Sequence, residues 1–219
     1  MKKLRMGIVG IKGMGVGHVE ALHRARNIDL KAVCDIDKAA VEKTADKYKA
    51  IGFTDYIYMF NKAPIDAVLL CLPHFLYPEV VNVAANKGLH ILKEKPFART
   101  YKEALKMVEV TERNKVKLMI GTQRRFNKYF CQAEKLIKRI GRIFLARGHC
   151  VYFCKVLNWR ANKEKAGDEA LLDYAYHGID LLLWYLGIPN EIFVYAGNIG
   201  LPNVKPVFYS CEGEYIQKP

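Results

Sequence analysis

Short, almost uninterrupted apolar runs alternate with longer amphipathic ones through the first half of the chain. Residues 4–10 and 30–35 read as strands, the second closed by the acidic turn Asp35-Ile36-Asp37. Residues 66–72 contain Ala67, Val68, Leu69, Leu70, Cys71 and Leu72, the pattern of a strand buried on both faces. Residues 89–92 and 116–121 repeat the strand signal. Between these runs, residues 16–26, 38–49, 78–87 and 100–114 read as helices. Val41, Ala45 and Tyr48 recur at helical spacing, Pro78 suits a first helical turn, and Gly88 suits a stop. Thr100-Tyr101-Lys102-Glu103 has the form of a capping box. Strand and helix in alternation predict right-handed crossovers and a doubly wound parallel sheet.

The pattern changes after Gly121. Residues 126–140 read as a helix ending at Gly141. Residues 143–153 read as one long strand, 170–186 as an apolar helix stopped by Gly187 and Pro189, and 191–198 as a further strand. Longer strands with fewer crossover helices predict a second α+β domain with a mostly antiparallel sheet. The boundary is expected near Thr122, giving domains 1–122 and 123–219.

Gly10-Ile11-Lys12-Gly13-Met14-Gly15 lies between the first strand and the first helix. Glycines there let the backbone turn tightly and approach a pyrophosphate, while the helix N-terminus offers N–H donors and a positive dipole end. Asp35 ends the second strand, 25 positions after Gly10, where a carboxylate can accept from the ribose hydroxyls and repel a 2′-phosphate. NAD is therefore expected, with NADP as the alternative. Lys12 stands where the middle glycine of G-x-G-x-x-G is usual. Its side chain could crowd the pyrophosphate, or its ammonium could reach a phosphate oxygen.

Length and composition narrow the classes. The 219 residues are 51% apolar, enough for a packed core and against global disorder. The formal charge is +13, from 35 Lys and Arg against 22 Asp and Glu, which raises a nucleic-acid partner. The basic residues are spread over helix surfaces, however, and read as solvated faces. A nucleic-acid-binding module is accordingly the weaker alternative, with steep salt dependence as its signature. No run is long and apolar enough to span a membrane. Six cysteines, Cys34, Cys71, Cys131, Cys150, Cys154 and Cys211, read as reduced and structural, which suits a cytoplasmic protein. His149, Cys150 and Cys154 form a weak metal hint without a second ligand pair, so no metal is expected.

Glu94-Lys95-Pro96, after the fifth strand, resembles the E-K-P signature of the Gfo/Idh/MocA family. Cys71-Leu72-Pro73-His74-Phe75-Leu76-Tyr77 is similar to the family's T-P-N-x-x-H segment, with His74 in place of Asn and Tyr77 in place of His. Gly121-Thr122-Gln123-Arg124-Arg125-Phe126 resembles its G-x-x-R-R-F turn, and Trp159-Arg160 its W-R segment. Asp173-Tyr174-Ala175-Tyr176-His177-Gly178-Ile179-Asp180 resembles its D-x-G-x-H-x-x-D helix, with Ala175 for glycine, and Gly167-Asp168-Glu169 stands for its glycine run.

The resemblance implies a Rossmann domain, a sheet-rich C-terminal domain and a dehydrogenase acting on a CH–OH group of a sugar, inositol or related polyol. It assigns Lys95, Asp173 and His177 to catalysis. In chemical terms His177 suits the base, Lys95 the polarising cation, and Asp173 the orienting carboxylate. The cofactor set is Gly10, Lys12, Gly13, Met14, Gly15, Asp35, Leu72, Pro73, Tyr77, Glu94, Lys95 and Pro96. The resemblance also suggests a cis Lys95–Pro96 peptide, and a shortened sheet with an exposed edge and apolar face favours a homo-oligomer. The plainer alternative makes Lys95 an exposed turn residue and Asp173 with His177 a helix-surface pair. Family members usually continue beyond this length, and no later sheet-completing segment is expected in residues 207–219. The chain is thus expected to be a short form that pairs with another subunit, or a fragment. A dinucleotide-binding protein without turnover is the alternative function.

Overall fold

The computed structural model describes residues 3–149, 159–167, 170–197 and 208–214. The chain divides into two compact units, Met1–Gly121 and Thr122–Pro219.

The first unit is built in the order β1 (Leu4–Val9), α1 (Met14–Arg24), β2 (Ile28–Cys34), α2 (Lys38–Tyr48), β3 (Ile51–Phe53), α3 (Tyr56–Lys62), β4 (Ala67–Leu70), α4 (Tyr77–Asn86), β5 (His90–Lys93), α5 (Tyr101–Arg113) and β6 (Leu118–Ile120). The six strands form one sheet in the order β3-β2-β1-β4-β5-β6, and its pairings are parallel. Successive side chains on a strand face opposite ways, so each central strand feeds two cores. Ile8, Val33, Ala67 and Leu69 pack with Val19, Leu22 and Val41 of α1 and α2. Val9, Ala32, Val68 and Leu70 pack with Met59, Val80, Ala84 and Met107 of α3, α4 and α5. This double burial explains why β4 carries no polar alternation.

The strand β3 and the helix α3 carry no clear periodic signal. β3 is three residues long with Gly52 at its centre, and α3 is a seven-residue, aromatic-rich segment, Tyr-Ile-Tyr-Met-Phe-Asn-Lys. The Asp55 carboxylate accepts the Tyr58 amide at 2.6 Å and starts that helix. At α5 the Thr100 hydroxyl accepts the Glu103 amide at 3.2 Å, but Glu103 reaches back one residue further than a capping box, to the Arg99 amide at 3.2 Å.

In the second unit, a 3-10 turn at Gln123–Phe126 leads into α6 (Lys128–Ile137). A second 3-10 turn at Trp159–Ala161 precedes α7 (Lys163–Ala166). The expected apolar helix begins as a π-helix, Ala170–Ala175, and continues as α8 (Tyr176–Leu186). β7 (Glu191–Gly197) and β8 (Phe208–Glu214) pair antiparallel along their full length. The Arg125 guanidinium forks onto Asp180, with Nη2 2.7 Å from Oδ1 and Nε 2.9 Å from Oδ2, and so ties the 3-10 turn to α8. The Tyr185 hydroxyl donates to the Phe130 carbonyl at 3.0 Å.

Two expectations fail here. Residues 143–149 form no strand; Phe144 is 95% exposed, and apolar character does not make a strand without a ladder partner. Residues 150–153 of that predicted strand lie outside the described residues, as do Asp168 and Glu169. The second failure is β8. Its Glu212, Gly213 and Glu214 hide the strand pattern, yet backbone pairing with β7 supplies it. Among the described residues, no helix is long and apolar enough to cross a membrane.

Lys93, the last residue of β5, is fully buried. It faces the same side as Ile91, two residues earlier, where the Tyr77 ring lies 3.7 Å from its ammonium. The ammonium donates to the carbonyls of Glu94 (2.8 Å), Pro96 and Phe97 (3.2 Å), gathering the loop that follows β5 around one nitrogen. Burial pushes its pKa down to about 7, with the Glu94 carboxylate opposing the fall.

Two measurements test these positions. Gly10 has φ +87, and a Cβ there would sit 2.1 Å from the Cys71 carbonyl oxygen. Gly10→Ala is therefore expected to cost at least about 2 kcal/mol in urea unfolding. A Cβ at Gly17, inside α1, would meet no described atom within 4 Å, so Gly17→Ala is expected to stabilise by about 0.5–1 kcal/mol. The second measurement follows Lys93. Between pH 7 and its ordinary value of 10.5 the unfolded chain binds a proton that the folded chain does not, so native stability rises with pH. Relative to Lys93→Met, the native protein should gain up to about 1.4 kcal/mol per pH unit across that window. A pH-independent difference between the two would show the ammonium charged throughout.

Candidate functional site

The chain reverses direction of winding between β1 and β4, and the loops after these strands leave toward opposite faces of the sheet. In open α/β sheets this is where a ligand crevice forms, at the carboxyl ends of the strands. Backbone hydrogen bonds carry the strands' order into the loops. The Gly10 amide donates to Cys34 O (2.8 Å), Cys71 N to Val9 O (2.8 Å), Glu94 N to Leu70 O (2.9 Å) and Gly121 N to Lys93 O (2.8 Å). Gly10, Asp35, Leu72 and Glu94 are thereby set along one edge.

The glycine loop needs its glycines for two reasons. A Cβ on Gly10 would overlap Cys71, and one on Gly15 would lie 2.1 Å from the Gly10 carbonyl oxygen. Gly13 is the residue before α1 and holds φ +53 without crowding. The exposed loop residues Lys12 and Gly13, with Met14 at 65% exposure, leave the N-terminus of α1 open to an incoming anion.

Asp35 is half-buried. Its Oδ2 accepts the Ile11 amide at 3.0 Å and its Oδ1 the Asp37 amide at 3.1 Å, so the carboxylate stitches the first loop to the second. Lys12 neither points into the glycine turn nor stands alone: its ammonium lies 2.7 Å from Asp37 Oδ2. Asp37 also caps α2, its Oδ1 accepting the Ala40 amide at 3.1 Å. The Lys12 hydrogen bond, more than any other cause, holds the Asp37 carboxyl below its usual range.

At the other side of the crevice, Glu94 is 9% exposed. Its Oε1 is 2.6 Å from His18 Nε2 on α1, and its Oε2 accepts the Lys95 amide at 3.1 Å. Burial pushes the Glu94 carboxyl up, but the His18 hydrogen bond and charge, with Lys95, outweigh burial and hold it below the ordinary value. Lys95 is half-buried, and its peptide to the buried Pro96 is cis. Leu72 and Pro73 are partly exposed at the end of β4.

Tyr77 is 1% exposed and packed in the core. Its hydroxyl accepts the Leu72 amide at 3.3 Å, and its ring covers Lys93. The hydroxyl bond ties Tyr77 to the backbone of Leu72 at the end of β4. His74, three residues earlier, is also buried, at 3% exposure.

In the second unit Asp173 is 7% exposed and lies in the π-helical turn, with His177 in the first turn of α8. The Arg160 Nε donates to Asp173 Oδ2 at 2.7 Å, and the Arg160 guanidinium sits 4.4 Å from the Trp159 ring centre. A π-helical turn is uncommon and frequent at functional sites. His18 and Lys93 are residues that motif reading passed over, and it gave Arg160 no role. A lysine after a buried strand reads as solvent-exposed, and only the Trp159-Arg160 match pointed to Arg160.

The thiols of Cys34, Cys71 and Cys131 are free. Burial pushes Cys34 up to about 12 and Cys71 higher still, which makes both unreactive. Cys150 and Cys154, with the metal hint they carried, lie outside the described residues.

Comparison with known proteins agrees with this geometry. Residues 4–122 match the model of an oxidoreductase family with an NAD-binding Rossmann fold, and residues 130–205 match the Gfo/Idh/MocA C-terminal domain. The chain is 31% identical over 194 residues to the rhizopine catabolism protein MocA of Rhizobium meliloti, covering 85% of this chain and 58% of that one. It is 27% identical over 189 residues to inositol 2-dehydrogenase of Salmonella typhimurium, covering 84% and 54%. The solved structure of levoglucosan dehydrogenase, in complex with NADH and levoglucosan, superposes with a TM-score of 0.82 at 25% identity, covering 90% and 58%. The chain thus spans about half the length of the curated relatives it matches. With a glycine-turn crevice, an E-K-P loop and both family regions in order along it, the chain belongs to the Gfo/Idh/MocA family of oxidoreductases.

Proposed function

We propose that this chain binds NAD(H) at the carboxyl edge of its parallel sheet and serves oxidation or reduction at a CH–OH group of a sugar, inositol or related polyol. The observation that carries the reading is the convergence of three sequence-distant parts on one edge: the glycine turn, Asp35 and the Glu94–Pro96 loop. Relatives named as inositol 2-dehydrogenase and levoglucosan dehydrogenase support the substrate class. In this reading residues 1–122 form the cofactor domain, and 123–219 the substrate and association domain.

The residues fit a dinucleotide. Absent Cβ atoms at Gly10 and Gly15 leave the turn tight, and the open N-terminus of α1 suits a pyrophosphate. Asp35 suits ribose hydroxyls, as an acceptor already fixed by two amides. Leu72, Pro73 and the Glu94–Pro96 loop would hold the nicotinamide end. Bound NAD supplies the hydride acceptor. Lys95 hydrogen-bonds the reacting oxygen and stabilises the charge developing there. His177 takes the hydroxyl proton. Asp173, held by Arg160, orients the substrate or the imidazole.

Self-association through the second unit belongs to the proposal, supported by the exposed Ile192, Phe193 and Val194 of β7. A cytoplasmic setting is supported by the free thiols.

Titration with NADH, followed by nicotinamide fluorescence and thermal shift, is expected to saturate. A polyol panel with NAD should then show turnover that falls about 10²–10⁴-fold in Lys95→Ala and His177→Ala, with NADH affinity retained in His177→Ala. Saturable binding with no turnover of any sugar or polyol would leave a dinucleotide-binding protein and sink the enzymatic reading.

A further inference from the structure

Lys12 is the residue of the glycine turn that the pyrophosphate chemistry does not use. It replaces the glycine at which a dinucleotide site usually keeps its backbone bare, and its side chain is 62% exposed. Instead of crossing the anion-binding end of α1, it reaches to the loop after β2, where its ammonium meets Asp37 at 2.7 Å. Asp37 is fixed from its own side by the Ala40 amide, and its amide is held by Asp35. The Asp37 hydrogen bond, the Asp37 charge and the nearby Asp35 charge all favour the protonated amine.

The place matters because Asp35 is the carboxylate at the adenosine ribose. A lone Asp there repels the 2′-phosphate of NADP, whereas a cation nearby accommodates it. Here the ribose corner holds two carboxylates and one ammonium, so its net charge is one negative rather than two. The ammonium is on a long, exposed stem and can leave Asp37 for a stronger anion, such as a phosphate near two negative charges.

We infer that Lys12, held on Asp37, sets how far this chain discriminates between NAD and NADP by offering a 2′-phosphate the cation that Asp35 alone denies. The inference rests on the dinucleotide reading above and deepens it. NADH remains the tighter ligand, but the penalty on NADPH is softened. Asp37 is the competitor that limits the softening.

The experiment is direct binding, independent of turnover. NADH and NADPH are titrated into the full chain, and the ratio of the two Kd values is compared across variants. Lys12→Gln removes the charge with little change in length, and should raise NADPH-to-NADH discrimination about three- to five-fold, the contribution of one exposed ion pair. Asp37→Asn keeps a good cap on α2 but frees the ammonium, and should lower discrimination by a similar factor. Lys12→Arg should stay near the native ratio. Thermal unfolding of each variant confirms that the fold is kept. Ratios that stay at the native value in both Lys12→Gln and Asp37→Asn, with NADH still bound, overturn this inference and leave the dinucleotide reading standing. A native chain that binds neither NADH nor NADPH overturns both.

Discussion

Between β1 and β4 two strand ends come so close that a methyl group on Gly10 would overlap the Cys71 carbonyl oxygen. The Cys71 amide meanwhile donates to Val9, so the two strands are bonded right up to the point where their loops diverge. That approach depends on the two apolar cores. Each central strand must send side chains both ways, and only a layer of helices on each face can bury them. The crevice is what remains where the loops part. Its walls are backbone, and the side chains that matter enter it from strand ends.

Those strand ends bury two ionisable side chains, which proteins seldom do without partners for them. Lys93 and Glu94 are adjacent, both shielded from water, and face different partners. Lys93 is solvated by three carbonyls and the face of Tyr77; Glu94 is solvated by His18 and the Lys95 amide. Each is satisfied, and that is the condition under which buried polar groups specify a structure rather than weaken it. The same logic operates in the second unit, where Arg160 covers the buried Asp173 and Arg125 forks onto Asp180.

Much of this is legible in the amino-acid sequence alone. Buried parallel strands announce themselves by unbroken apolar runs, and the glycine turn and Asp35 by their order between strand and helix. Elements whose stability comes from elsewhere were silent. β3 is too short to show a period, and β8 exists through its ladder to β7 rather than through its own alternation. Residues 143–149 show the converse, apolar residues without a ladder. Side-chain roles were harder still. Tyr77 matches a family position, and only the structure shows that it is buried, with its hydroxyl on Leu72 and its ring over Lys93. A sequence motif records which residues recur, and solvent access decides what they can touch.

The His18–Glu94 contact spans the glycine helix and the loop carrying Lys95. Both belong to the first unit, so the spacing between the N-terminus of α1 and the Lys95 loop is set within that unit. Sequence change confined to residues 122–219 therefore leaves untouched the contact that fixes it.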